Sequence, residues 1–154
     1  MILEDRRIDL AKPYEQAQLA VFEPGRYLCF QISGKYFAMA HEEVREMMPM
    51  QTPAPWTSVP GVLGVIHSRQ RRIPVIDIHA KLKLQRRARR RQGRLVVATG
   101  SLSQHAAFPV DTIAGLIEVR PGDIHNGVIQ GFGRPKTIIS MRNLATADEL
   151  ALCG

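Results

Sequence analysis

At 154 residues the chain is the size of one domain, or of two small lobes around a common core, and it needs neither a disulfide nor a metal to fold. A hydrophobic share of 45% and a charged share of 23% exclude a disordered or fibrous chain. The net charge of +7 directs attention to acidic partners, nucleic acid or a membrane surface.

Residues up to Pro24-Gly25 read as a separate opening segment. Ile8, Leu10, Tyr14, Leu19, Val21 and Phe22 would give a ragged amphipathic helix interrupted near Pro13. The expected boundaries are an extension over 1–25, helical in part, and one domain over 26–154. Next, "YLCFQISGKYFAMA" reads as a strand, a turn at Ser33-Gly34-Lys35 and a second strand. "EEVREMMPMQ" suits either a short helical turn or a strand, with Val44, Met47 and Met48 as its apolar members. Pro53, Pro55 and Pro60 make the following stretch an irregular connection.

"GVIHSRQRRIPVIDIHAKL" sets two apolar runs on either side of a basic turn. Arg86, Arg87, Arg89, Arg90, Arg91 and Arg94 then supply much of the net charge in one stretch, and a like-charge block reads first as a solvated loop. "RLVVATG" is a strand, and "HAAFPVDTIAGLIEVRPGDI" a pair of strands closed by a turn at Arg120-Pro121-Gly122. "GRPKTIISMRNL" is a further strand, and the tail gives a short helix over about 146–152, with Thr146 and Glu149 at capping-box spacing. Many short strands with glycine and proline punctuation predict an all-β barrel or a pair of them. The halves also echo one another. "FAMAHEEVREMM" resembles "FPVDTIAGLIEV", and "RRIPVIDIHAKL" resembles "PKTIISMRNL".

Catalytic chemistry finds little support. His41, His67, His79, His105 and His125 are scattered without metal-ligand spacing, so no metal is expected. No nucleophile-elbow or phosphate-loop motif occurs, and Cys29 sits among apolar neighbours where a thiol is packing. Two distant cysteines, Cys29 and Cys153, are no disulfide framework and fit a reducing compartment. The charged start argues against a signal peptide, and no apolar run approaches the roughly 20 residues needed to cross a bilayer, so a cytoplasmic location is expected. Nucleic acid is the rival partner, through a basic barrel with Arg86, Arg87, Arg89, Arg90 and Arg91 on its loop. That arginine run contains no aromatic residue on which bases would stack.

From about Tyr27 to Leu150 the segments together resemble the CheW-like adaptor family of bacterial chemosensory systems. The motifs are Tyr27-Leu28-Cys29-Phe30 with Gly34, Val44-Arg45-Glu46-Met47, and Pro60 before Gly64-Val65-Ile66. They continue with Arg69, Pro74-Val75-Ile76-Asp77-Ile78, Val110-Asp111, Leu116 and the closing TIISMRNLATADEL. The resemblance implies two SH3-like five-stranded barrels sharing a core, with no catalysis and no cofactor. It implies a cytoplasmic scaffold, recruited to membrane-associated receptor arrays, that couples the tip of a methyl-accepting chemoreceptor to a CheA-type histidine kinase. The receptor's helical hairpin would lie between the barrels, and the kinase would dock on the barrel ends.

Carried over, Val44, Glu46, Met47, Gly64, Arg69, Leu95 and Leu116 would face the receptor. Val44, Met47, Leu95 and Leu116 would take its apolar face, Glu46 and Arg69 would orient it, and Gly64 would allow close approach. Asp77 would hold a turn. The chain departs from the family in having His67-Ser68-Arg69-Gln70 where Asn-Leu-Arg-Gly is usual, and Ser140 where an acid or amide is common. These departures suit a pilus-type or other divergent chemosensory pathway, or a partner outside chemotaxis.

Overall fold

Gly25–Ile32 (β1) is apolar at nearly every position because both of its faces are buried. Side chains alternate across a strand. Tyr27 and Cys29 therefore enter one apolar cluster, and Leu28, Phe30 and Ile32 another. This is a computed structural model, and it describes residues 22–55, 60–85, 93–99 and 104–144. The expected N-terminal helix, the C-terminal helix near 146–152 and Arg86–Arg91 lie outside those residues.

β1 turns through Ser33-Gly34 into Lys35–Ala40 (β2). Both turn residues have positive φ, 52° and 78°, the two-residue geometry that matches strand twist. After a single 3₁₀ turn at His41–Glu43 the chain runs on as Val44–Pro49 (β3), so the expected alternatives occur in succession. Val62–Ser68 (β4) and Arg71–Ile76 (β5) form a hairpin, followed by the short helix Ile78–Leu82 (α1). Arg94–Thr99 (β6), His105–Val110 (β7) and Thr112–Val119 (β8) follow. Ile124–His125 (β9), Val128–Ile129 (β10), Lys136–Ile138 (β11) and the helix Met141–Leu144 (α2) complete the described chain.

The strands form two sheets, ordered β8-β1-β2-β11-β10-β9 and β3-β6-β7-β5-β4. The second repeats the first. Each contains one parallel pair in the same place, Ile138 beside Ala38 and Val75 beside Ala107. Each has one extra residue on its leading edge strand, Ala114 on β8 and Arg45 on β3. In each, the parallel strand leads through a cap, Asp77 or Ser140, into a short helix. The echo in the sequence is therefore a repeat of structure, but its register differs from the expected one. Phe37 corresponds to Ala106 rather than Phe108, because Phe37 faces Phe30 and Ala106 faces Ala98 beside the matching bulges.

The two connections that echo one another are the crossings between sheets. β2 leads into β3 from first sheet to second, and β7 into β8 from second to first. Three clusters follow. Tyr27, Cys29, Ala38, Val119, Ile129 and Ile138 fill the first barrel. Ile66, Ile73, Val75, Leu95, Val97 and Ala107 fill the second. Between them Leu28, Phe30, Met39, Ile76, Val96 and Phe108 belong to a common core, with Phe30 and Phe108 ring centroids 5.6 Å apart.

Candidate partner-binding site

On β3, Met47 lies opposite Val96, a common-core residue, and is 47% exposed. On β8, Leu116 lies opposite Leu28, also of the common core, and is 50% exposed. Counted from the bulges, these are the same position in the two repeats. Val44 and Ile113, just before each bulge, pack half-buried on the rim of the common core. With Leu63, Met47 and Leu116 are the exposed large hydrophobic residues among those described. Opposite residues on paired strands point to one side, so each barrel presents one apolar side chain on the side of the common core.

Two expectations for this face need correction. Leu95 is completely buried inside the second barrel and offers no surface to a partner, because its strand position alternates with that of Val96. Gly64 is buried as well. It has φ of 153°, and a Cβ there would collide with the carbonyl oxygen of Ala54. The close approach it permits is internal, since Ala54 and Val65 exchange two backbone hydrogen bonds of 2.8 Å. Asp77 caps α1 by accepting from the Ala80 N–H at 3.3 Å, in keeping with the structural role expected of it.

Arg69 sits at the tip of the β4–β5 turn, exposed, with no hydrogen bond to another described residue. Arg69 and Gln70 both have positive φ, 52° and 66°. That conformation is costly for residues with a Cβ.

The mouth of the second barrel next to this turn is rimmed by polar side chains. Glu46, Ser68, Arg71, Thr99 and His105 each lie two residues along a strand from a side chain packed with the barrel's interior cluster: Met48, Ile66, Ile73, Val97 and Ala107. They make one layer. Arg45 Nε donates to Thr99 Oγ1 at 2.5 Å, Thr99 pairs with His105, and Arg71 bonds His105 Nδ1 at 3.2 Å. Arg71 pairs in turn with Ser68, whose hydroxyl donates to Glu46 at 3.3 Å across the two edges of the sheet. Burial, and then the charges of Arg71 and Arg45, hold the His105 pKa below its usual range against an opposing pull from Glu46. Sequence reasoning found Glu46 but missed this layer, because it is assembled from five strands and no linear spacing marks it.

At the first barrel a cavity of about 570 Å³ is lined by Tyr27, Glu42, Glu43, Ser140 and Arg142 among others. Glu43 accepts from the Met141 N–H at 3.0 Å and the Ser140 hydroxyl at 3.1 Å, tying the first crossing to α2. Burial raises the Glu43 pKa despite those donors. Burial also raises the Tyr27 hydroxyl to about 12, with Glu43, Glu42 and Glu23 adding to it, while that hydroxyl donates to the Glu23 carbonyl at 2.6 Å. Cys29 is buried and its thiol pushed up, which disfavours the nucleophilic thiolate. Among the described residues no three His, Cys, Asp or Glu converge as a metal site, and no helix is long and apolar enough to cross a membrane.

Two interlocked SH3-like barrels around one core, with matched apolar residues on their edge strands, define a two-barrel β-sheet scaffold. The chain belongs to the CheW-like domain family, a family of non-enzymatic scaffolds, which residues 26–149 match. The crystal structure of the scaffolding protein TtCheW from Thermoanaerobacter tengcongensis is similar at TM-score 0.70 and 19% identity, covering 75% of this chain and 88% of that one. No curated protein matches the sequence significantly.

Proposed function

We propose that this scaffold couples the helical tip of a chemoreceptor to a CheA-type histidine kinase, in the cytoplasm at membrane-associated receptor arrays. The observation that supports it is the symmetric exposure of Met47 and Leu116 beside the common core. Unpaired apolar side chains on two neighbouring barrels suit the apolar stripe of a helix or helical hairpin. Val44 would extend that contact, Glu46 and Arg69 would border it with charge at the mouth of the second barrel, and the other barrel ends would remain for the kinase.

The test is binary capture of receptor cytoplasmic fragments and of the kinase from the native host. Met47→Asp and Leu116→Asp should each abolish receptor capture, and Arg69→Ala should weaken it by more than about 1 kcal/mol, as for a lost interfacial charge-assisted bond. Binding should fall with salt far less steeply than binding through several phosphates would, because apolar contact carries most of it. Recovery of nucleic acid with a steep salt dependence, and of neither partner, would replace this reading with the basic-loop one through Arg86, Arg87, Arg89, Arg90 and Arg91.

A further inference from the structure

The mouth of the second barrel carries charge that the fold does not consume. A guanidinium has five N–H donors and no acceptor. Arg45 gives one to Thr99, and Arg71 gives one to His105. Because a guanidinium only donates, His105 Nδ1 accepts, so the ring is neutral with its proton on Nε2. Among the described residues no carboxylate lies within ion-pair distance of Arg45 or Arg71. Glu46, the one acid in the layer, accepts from Ser68 instead. Arg45 and Arg71 thus share the layer of one glutamate, with Arg69 on the adjoining β4–β5 turn.

The surroundings select the kind of anion. On the edge strand β3, Arg45 and Glu46 face the mouth while Val44 and Met47 face the side of the common core, so an occupant that crosses this edge meets both the charged layer and apolar surface. Among the described residues the exposed large hydrophobics are Met47, Leu63 and Leu116, none of them aromatic, so these offer a base no ring to stack on. The Glu46 carboxylate would repel a densely charged phosphate backbone but tolerates a single anionic group. Planar guanidinium forks match a carboxylate in bidentate geometry.

We propose that the mouth of the second barrel is a carboxylate-binding site, in which Arg45 and Arg71 take an aspartate or glutamate side chain from the partner segment lying on Met47 and Leu116. Naming that partner rests on the coupling function proposed above. The anion chemistry does not, and it is measured separately.

The intact protein is titrated with hexaglutamate peptide, and with oligothymidylate of equal charge, at fixed salt. Binding is followed by nuclear magnetic resonance at the His105 ring and the backbone amides, whose spectrum also reports whether each variant is folded. Arg45→Gln and Arg71→Gln should each weaken peptide binding about tenfold, the effect of losing a charge-assisted fork. Lys35→Gln, the same change of charge on the exposed β1–β2 turn, should change it less than twofold. Arg71→Lys keeps the charge but not the fork and should restore less than half of the loss. Equal effects at Lys35 and Arg71, full rescue by lysine, or tighter binding of the oligonucleotide at these same residues would each overturn the site. If receptor capture depends on Met47 while the Arg45 and Arg71 variants leave both probes unaffected, the carboxylate site falls and the coupling function stands. If hexaglutamate binds through Arg45 and Arg71 but no receptor is captured, the site stands and the coupling function falls.

Discussion

The two barrels share a strand order yet finish their mouths in opposite ways. Tyr36 and His105 hold the same position, each two residues before the centre of the parallel pair, and Arg134 and Arg71 each stand four residues before its other member. In the first barrel Arg134 stacks over the Tyr36 ring, 5.6 Å from its centroid. Lys136, only 7% exposed, donates to the carbonyls of Phe132 and Arg134 at 2.6 and 2.9 Å. Gly115 replaces Glu46 there, so the layer has no acid at that position. The first mouth turns its cations inward onto its own chain, and the second leaves guanidinium forks outward. The repeated positions build the barrels, and what occupies the last layer decides whether an end is sealed or offered.

The largest effect should come from what the barrels hold in common. Phe108→Ala removes a fully buried ring from between them and should lower stability by about 3–5 kcal/mol, read by denaturant unfolding. Both barrels should melt in one transition, and two separate transitions would show that the core does not couple them. Lys136→Met should cost about 1–3 kcal/mol, because two carbonyls lose their donor. Arg71→Gln, at the mouth of the other barrel, should change stability by less than about 0.5 kcal/mol. A larger loss at Arg71 than at Lys136 would invert the contrast between sealed and open ends.

Gln70→Gly should stabilise the protein by about 1 kcal/mol, since glycine adopts positive φ without a Cβ penalty. The matching hairpin of the first barrel already has Gly131 and Gly133 at positive φ, so the same substitution there brings no comparable gain. The smallest effect is a pH dependence. His105 has a folded pKa below the usual 6.5, so the folded state resists its protonation. Its contribution is complete above about pH 6.5 and is lost as pH falls through the lowered folded value. His105→Gln should flatten that part of the stability profile, measured as melting temperature against pH. An unchanged slope below pH 6.5 would remove His105 from the account.

Most of the strands were legible because their apolar runs are local. "YLCFQI" and "RLVVAT" are buried on both faces, and such runs announce themselves without knowledge of neighbours. Glycine with serine at 33–34 announced the first hairpin. The register of the repeat was not legible from aromatic spacing, since Phe37 and Phe108 sit two positions apart in it. A better signal was present in Gly25-Arg26 and Gly93-Arg94, which open β1 and β6 at matching places. Leu95 was misplaced because which side of a doubly buried strand faces a partner depends on how the two barrels pack. Gly64 was given a partner's approach when its neighbour is Ala54, ten residues earlier in the chain, through a bridge that no spacing rule marks. The polar layer escaped notice for a related reason: His105, Arg71 and Arg45 come together only once the sheet closes.

The crossings between sheets have a consequence for the chain's continuity. The residues up to Gln85 carry β1 to β5, and those from Gly93 carry β6 to β11. Neither fragment contains a whole barrel, for β1 and β2 need β8 and β11, while β6 and β7 need β3 and β5. A protease cut between Gln85 and Gly93 would therefore leave two pieces clasped through both sheets, a complementing pair rather than two released lobes. The peptide that joins the halves is not what keeps them together.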